Sequence, residues 1–300
     1  MSHVELSGVL VALVTPFTAD GAEVDGANLE AHVDRLIRAG AHGLVPGGST
    51  GEFTTLTLDE RKYVTELTVK AAGGRVPVVA GTGALSTRDA VDLAAHAAAA
   101  GASALMVVPP FYEALDLPTL KALLRDVHDA AQLPIMYYNI PSATGLHLTP
   151  AEIASLADVE GVRYLKDTSG DAVGLTELLH EHADRITTFN GWDSLTFYGL
   201  AAGAKGSVWG LANVVPELSR QLWDAVAVDG DLERGRELWA RIYPLTRLLE
   251  RHPYAAAVKT GMALTGHPAG PVRKPVALLE GEPRAEFARL LRAAGVDVVD

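Results

Sequence analysis

The sequence predicts a (β/α)8 barrel followed by a helical tail, and three observations predict it. Eight short aliphatic or β-branched runs recur over residues 1–214, each stopping at or beside Gly, Pro or Thr. Most are continuously apolar rather than alternating, as strands covered on both faces must be. Segments with helical periodicity lie between them, and a strand–helix unit repeated eight times closes a parallel sheet on itself.

The strands are read, in order, at VLVALVTP (9–16), HGLVPGG (42–48), PVVAGTG (77–83) and ALMVVPP (104–110). They continue at PIMYYNIP (134–141), VRYLKDT (162–168), ITTFNGW (186–192) and AKGSVWG (204–210). Among the helices, NLEAHVDRLIRAG repeats apolar residues at Leu29, Val33, Leu36 and Ile37 before a glycine stop. TLDERKYVTELTVKAAGG opens on Thr57 with Glu60 three residues later, the signature of a capping box. STRDAVDLAAHAAAAG and TPAEIASLADVEG start and stop in the same way. Beyond residue 214 the strand signals cease, and three helical patterns fill the remainder. The division is therefore a barrel over 1–214 carrying the active site and a helical region over 215–300. An open doubly wound sheet is the structural rival. Its dinucleotide fingerprint has only an incomplete counterpart here, GTGALS at 81–86, after the third strand rather than the first.

Composition narrows the function. A net charge of −12 opposes nucleic-acid binding, which needs clustered positive charge. The absence of cysteine removes disulfides, thiol nucleophiles and cysteine-based metal sites. MSHVELSGVL lacks the basic and apolar regions of a signal peptide. The most apolar stretch, 94–111, is interrupted by His96, Gly101 and two prolines, so no membrane span is expected. The expectation is a cytoplasmic protein without a membrane or nucleic-acid partner.

In a barrel, chemistry sits at the C-terminal ends of the strands. Those ends present Thr15, Ser49, Thr50, Gly83, Phe111, Tyr112, Tyr138, Asn139, Lys166, Thr168, Gly191, Asp193, Ser207 and Trp209. Of seven lysines, most fall in helical or loop text, where a solvated amine needs no explanation. Lys166 is embedded in the apolar run VRYLKDT. Desolvation disfavours its ammonium form, and the free amine can attack a carbonyl to form a Schiff base. A structural ion pair with Asp167 is the plain alternative, but strand alternation sends adjacent side chains to opposite faces. Tyr138, one strand earlier, is placed to shuttle protons. The Gly47-Gly48-Ser49-Thr50-Gly51 turn also fits the G-x-S-x-G pattern of a hydrolase elbow. It follows the second strand, and no later histidine ends a strand; His147 and His267 lie in loops. A turn whose hydroxyls and N–H groups hold a carboxylate is the better reading.

Four motifs then line up in order: GGSTGE (47–52), PPFY (109–112), YNIPSATG (138–145) and LKDTSGD (165–171). Together they resemble the dihydrodipicolinate synthase / N-acetylneuraminate lyase family of class I aldolases. The resemblance runs down to PVRKPVALL (271–279). It implies a (β/α)8 barrel with C-terminal helices, assembled as a homo-oligomer (dimer or tetramer). It implies no cofactor beyond the covalent Schiff base on Lys166, and pyruvate as the keto-acid partner. On this resemblance Tyr138 relays protons and Ser49 and Thr50 bind the pyruvyl carboxylate. Tyr112 reaches a neighbouring subunit's site to complete that relay, Gly51 shapes the turn, and Gly191 and Val208 bind substrate, Val208 through a backbone carbonyl that faces the keto acid. Ala143 stands where the synthases resemble one another in an arginine that holds aspartate semialdehyde. Thr168 and Asp193 resemble the hydroxyl-binding residues of the lyases, although Ser194 replaces their glutamate. Trp192 and Trp209 add bulk near the mouth. The implied activity is a lyase acting on a 2-keto-3-deoxy sugar acid. A dehydratase using the same Schiff base, a 4-hydroxy-tetrahydrodipicolinate synthase and a non-catalytic keto-acid binder are the alternatives.

Overall fold

Residues 5–299 are described by a computed structural model. Eight parallel strands occur in the expected places. They are β1 (Gly8–Ala12), β2 (Gly43–Val45), β3 (Val79–Gly81) and β4 (Ala104–Val107), then β5 (Ile135–Asn139), β6 (Val162–Asp167), β7 (Thr187–Asn190) and β8 (Gly206–Trp209). Their hydrogen-bonded order, β2-β1-β8-β7-β6-β5-β4-β3, leaves one seam between β2 and β3. That seam is closed by a Leu44–Val78 bridge and by the Gly81 N–H donating to the Pro46 carbonyl at 2.9 Å.

Helices follow the strands: α1 (Gly26–Arg38), α2 (Leu58–Ala72), α3 (Thr87–Ala100) and α4 (Leu117–Ala131). The short α5 (Pro141–Thr144) and α6 (Pro150–Ala154) together follow β5. Next come α7 (Ala172–Glu181), α8 (Thr196–Ala201) and α9 (Pro216–Trp223). The tail adds α10 (Leu232–Glu250), α11 (Tyr254–Leu264) and α12 (Gly281–Ala293). The capping box on α2 is present in both directions, Thr57 to the Glu60 N–H and Glu60 back to Thr57. GTGALS ends in a helix cap, because Ser86 accepts from the Asp89 N–H. Its Gly81 and Gly83 carbonyls are both taken by Arg61, at 3.0 and 2.9 Å. The segment is thus committed to packing rather than to a nucleotide.

Side-chain parity explains the unbroken apolar runs. Ala12, Val45, Val79, Met106, Met136, Tyr138, Tyr164, Phe189 and Val208 form one cluster inside the barrel. Their immediate neighbours Tyr137 and Leu165 pack outward under the helices. Both faces are covered, so apolar residues predominate on each.

The tail is continuous with the barrel. Val9, Val11 and Leu13 of the first strand region share one buried cluster with Leu238, Ile242, Leu249, Met262 and Leu291. Trp209 belongs to the same outer cluster and is fully buried there, so it does not narrow the mouth. Lys259 also departs from the sequence reading of a solvated helical lysine. Its side chain has no exposure, and its Nζ lies 2.7 Å from Glu52 Oε1. Helix α11 is buried almost throughout, and the lysine's counter-ion lies far off in sequence, where local periodicity gives no sign of it. Among the described residues, no helix is long and apolar enough to cross a membrane.

The β2–β3 seam is tight enough to test. A Cβ on Gly81 would stand 2.4 Å from the Gly47 carbonyl oxygen, a backbone atom. Gly81→Ala is expected to cost about 2 kcal/mol through forced separation of the strands. A lowered urea midpoint with an unchanged slope checks this.

Candidate active site

A cavity of about 250 Å³ opens at the C-terminal ends of the strands. Parity brings Lys166 into it. Tyr164 and Lys166 share the inner face of β6, and Nζ stands 3.9 Å from the centroid of the Tyr138 ring. Asp167 points the other way, as alternation requires. It accepts from Asn139 at 2.7 Å and from the Ser169 hydroxyl at 2.9 Å. Burial pushes the Asp167 carboxyl upward and those two bonds oppose it. Lys166 therefore has no ion pair with its neighbour.

Space for the lysine is made by Gly191 at the end of β7. A Cβ there would lie 2.2 Å from Thr168 Oγ1, 2.8 Å from Lys166 Cγ and 3.0 Å from Lys166 Cε. Thr168 lines the cavity, and its buried hydroxyl has no hydrogen-bond partner among the described residues. An unsatisfied buried hydroxyl beside an open cavity suits a ligand with hydroxyls of its own.

Ser49 and Thr50 reach the cavity from the loop after β2. The loop is a tight turn, with the Gly51 N–H donating to Gly48 at 3.0 Å and the Glu52 N–H to Ser49 at 3.1 Å. Gly51 is buried behind the lining, and its carbonyl accepts from the Thr15 hydroxyl at 2.8 Å. It shapes the turn and does not face the cavity. No histidine lines the cavity, so Ser49 has no base of the kind a hydrolase elbow requires.

Val208 and Asp193 also line the cavity. Ala143 does not; it sits exposed on α5. Tyr112 is 89 % exposed and lies outside the cavity of its own chain. Trp192 does border the mouth, its indole N–H donating to Ser194 Oγ at 3.1 Å.

Two lining residues, Glu250 and Tyr254, come from the tail and were not found in the sequence. They flank the corner between α10 and α11, so the cavity is completed by the tail and not by residues 1–214 alone. The Tyr254 hydroxyl donates to Asp193 Oδ2 at 2.7 Å, and Glu250 accepts from the Ser194 N–H at 2.9 Å. Burial pushes Asp193 up to about 7, against the lowering effect of the Tyr254 bond; the charge of Glu250 adds to the rise. Burial, then the Asp193 charge, holds the Tyr254 phenol well above its usual value. Among the lining residues Lys166 is the sole cation, set against Asp193 and Glu250.

Residues 5–294 match the model of the dihydrodipicolinate synthetase family. The chain belongs to that family. It is 40% identical over 291 residues to an uncharacterized DapA-like lyase of Halobacterium salinarum, covering 97% of this chain and 95% of that one. It is 37% identical over 289 residues to a 4-hydroxy-tetrahydrodipicolinate synthase of Methanopyrus kandleri, covering 96% and 95%. Among solved structures, it is similar to E. coli K12 YagE, a prophage protein of the dihydrodipicolinic acid synthase family in complex with pyruvate. That likeness has a TM-score of 0.92 at 30% identity, over 98% of this chain and 100% of that one. A pyruvate complex of the Acinetobacter baumannii synthase matches equally well, with a TM-score of 0.92 at 30% identity, over 97% and 100%. Family membership makes this chain an enzyme of the aldolase/lyase type with the barrel and C-terminal helices described above.

Asp193 gives a pH test. Its pKa is raised on folding from 3.8 to about 7, so its contribution to stability is fullest below about pH 4 and is lost as pH rises toward 7. Asp193→Asn keeps an acceptor for Tyr254 and removes the titration. Denaturation at several pH values between about 4 and 7 should show a less negative slope of stability with pH for the variant.

Proposed function

We propose that this enzyme is a class I lyase that cleaves or forms a 2-keto-3-deoxy sugar acid, with pyruvate as its keto-acid partner. The observation that carries the reading is the unpaired Lys166 amine, held inside the barrel beside Tyr138 and sharing a cavity with Ser49 and Thr50. The pyruvate complexes of two similar structures support the choice of keto acid.

In this reaction the neutral Lys166 amine attacks the C2 carbonyl, and loss of water gives an iminium. The Ser49 and Thr50 hydroxyls and their turn hold the carboxylate. Tyr138 relays protons during carbinolamine formation and takes the proton of the C4 hydroxyl. The C3–C4 bond then breaks; its electron pair flows into the iminium, leaving an enamine and releasing an aldehyde. Protonation at C3 and addition of water return pyruvate and the free amine. The iminium is the electron sink, so the proposed cycle uses no cofactor.

The substrate tail is argued from charge and hydrogen bonding. A sugar-acid tail offers hydroxyls, which suit the unpartnered Thr168 hydroxyl and the Asp193–Tyr254 pair. Aspartate semialdehyde brings a second carboxylate, and the lining has no second cation to meet it. Ala143 stands at the position where the synthases resemble one another in an arginine. The competing synthase reading has one specific support, the names of several relatives at 35–39% identity. Dehydration would use the same iminium and leave the carbon chain intact. The 89 % exposure of Tyr112 supports a homo-oligomer in which that residue serves a neighbouring site.

Intact mass after treatment with pyruvate and borohydride, followed by peptide mapping, is the test. One reduced pyruvyl adduct on Lys166 is expected, and none in Lys166→Ala, whose turnover should fall by about 10³-fold or more. An unmodified Lys166, or full activity of the alanine variant, defeats the mechanism. Product mass from a panel of sugar acids separates cleavage from dehydration. Efficient condensation of pyruvate with aspartate semialdehyde would establish the synthase instead.

A further inference from the structure

We infer that Lys259 is a positioning residue for the Ser49–Thr50 turn, acting from the tail through Glu52. The inference rests on the reading that this turn holds the keto-acid carboxylate.

Glu52 ends the GGSTGE turn in an unusual backbone state. Its φ is 58°, in the left-handed region that a side chain with a Cβ rarely adopts. Such a conformation persists only where surrounding contacts hold it. Here both carboxylate oxygens are held by the tail. Oε1 meets Lys259 Nζ at 2.7 Å, and Oε2 accepts from the backbone N–H of Arg273 at 2.9 Å. Neither end of the ion pair is free to move to another partner. The lysine is fully buried, donates to the Pro271 carbonyl at 2.8 Å and stands 4.2 Å from the centroid of the Phe17 ring.

The coupling to the turn is short. The Glu52 N–H donates to the Ser49 carbonyl at 3.1 Å, and the Glu52 carbonyl accepts from Thr55 N–H and Thr55 Oγ1 at 2.8 and 2.9 Å. Rotation of Glu52 out of its left-handed state would break the bond to Ser49 and re-aim the residues that reach the cavity. Neither Glu52 nor Lys259 lines the cavity, so neither touches substrate. A buried ion pair is weak evidence for stability, since a well-packed apolar pair often serves as well. Fixing one geometry of a turn is a use to which such a pair is suited.

The test reads pyruvate-dependent trapping of Lys166 by borohydride across a range of pyruvate concentrations. The double variant Glu52→Gln, Lys259→Met removes both charges at nearly constant volume. A second variant, Glu52→Gln alone, leaves the buried amine able to lose its proton, burial already holding it down to about 8. Leu291→Ala, which opens the shared core of α12 away from the turn, is the control for general destabilisation. The expected result is a rise of about tenfold in the pyruvate concentration for half-maximal trapping, in whichever Glu52 variant folds. The maximal trapping rate should stay within about twofold, and Leu291→Ala should leave the half-saturation point in place. A folded Glu52 variant with an unchanged half-saturation point overturns the inference alone. Loss of trapping in Leu291→Ala equal to that of the Glu52 variants also overturns it, because the effect would then be general. Absence of any adduct in the unsubstituted protein overturns the Schiff-base reading and takes this inference with it.

Discussion

The Lys166 amine stands against the face of the Tyr138 ring, in ion-pair contact with no carboxylate among the described residues, above an apolar cluster that fills the barrel below the cavity. Much of the surrounding architecture follows from keeping it there. Strand alternation turns Asp167 outward, where Asn139 and Ser169 occupy its oxygens. Gly191 gives up a side chain so that the lysine stem and the Thr168 hydroxyl can lie beside β7. With no carboxylate bonded to it, the amine is open to a carbonyl that enters the cavity.

What the sequence made legible was whatever local periodicity and parity encode. All eight strands, the capping box at Thr57 and the inward placement of Lys166 follow from rules spanning a few residues. Those rules also put Ser49, Thr50, Tyr138, Thr168 and Asp193 at one mouth, because a barrel gathers the ends of its strands. Gly51 sits within the turn and off the cavity wall, and Ala143 and Tyr112 lie outside the cavity of this chain.

The rest was illegible because it depends on contacts between distant segments. Lys259 sits in an alanine-rich helical pattern that gives no sign of a buried charge, and its partner Glu52 belongs to the second βα loop. Tyr254 and Glu250 enter the site only because the corner between α10 and α11 folds across the barrel mouth. Trp209 shows the converse: its position at a strand end suggested the mouth, and one step of parity sent it into the outer core.

The tail's part in the site bears on how the protein comes into being. Chain synthesis delivers Lys166 and the eight strands well before Glu250, Tyr254 and Lys259, and contacts between residues far apart in sequence form only after long loops have closed. A nascent chain holding every strand would own the amine and lack three of the groups that surround or brace its site. The apolar surface that Val9, Val11 and Leu13 share with the tail would be uncovered over the same interval. Completion of the cavity is thereby tied to synthesis of α10 and α11, and chains that stop short of them carry the lysine without the pocket that directs it.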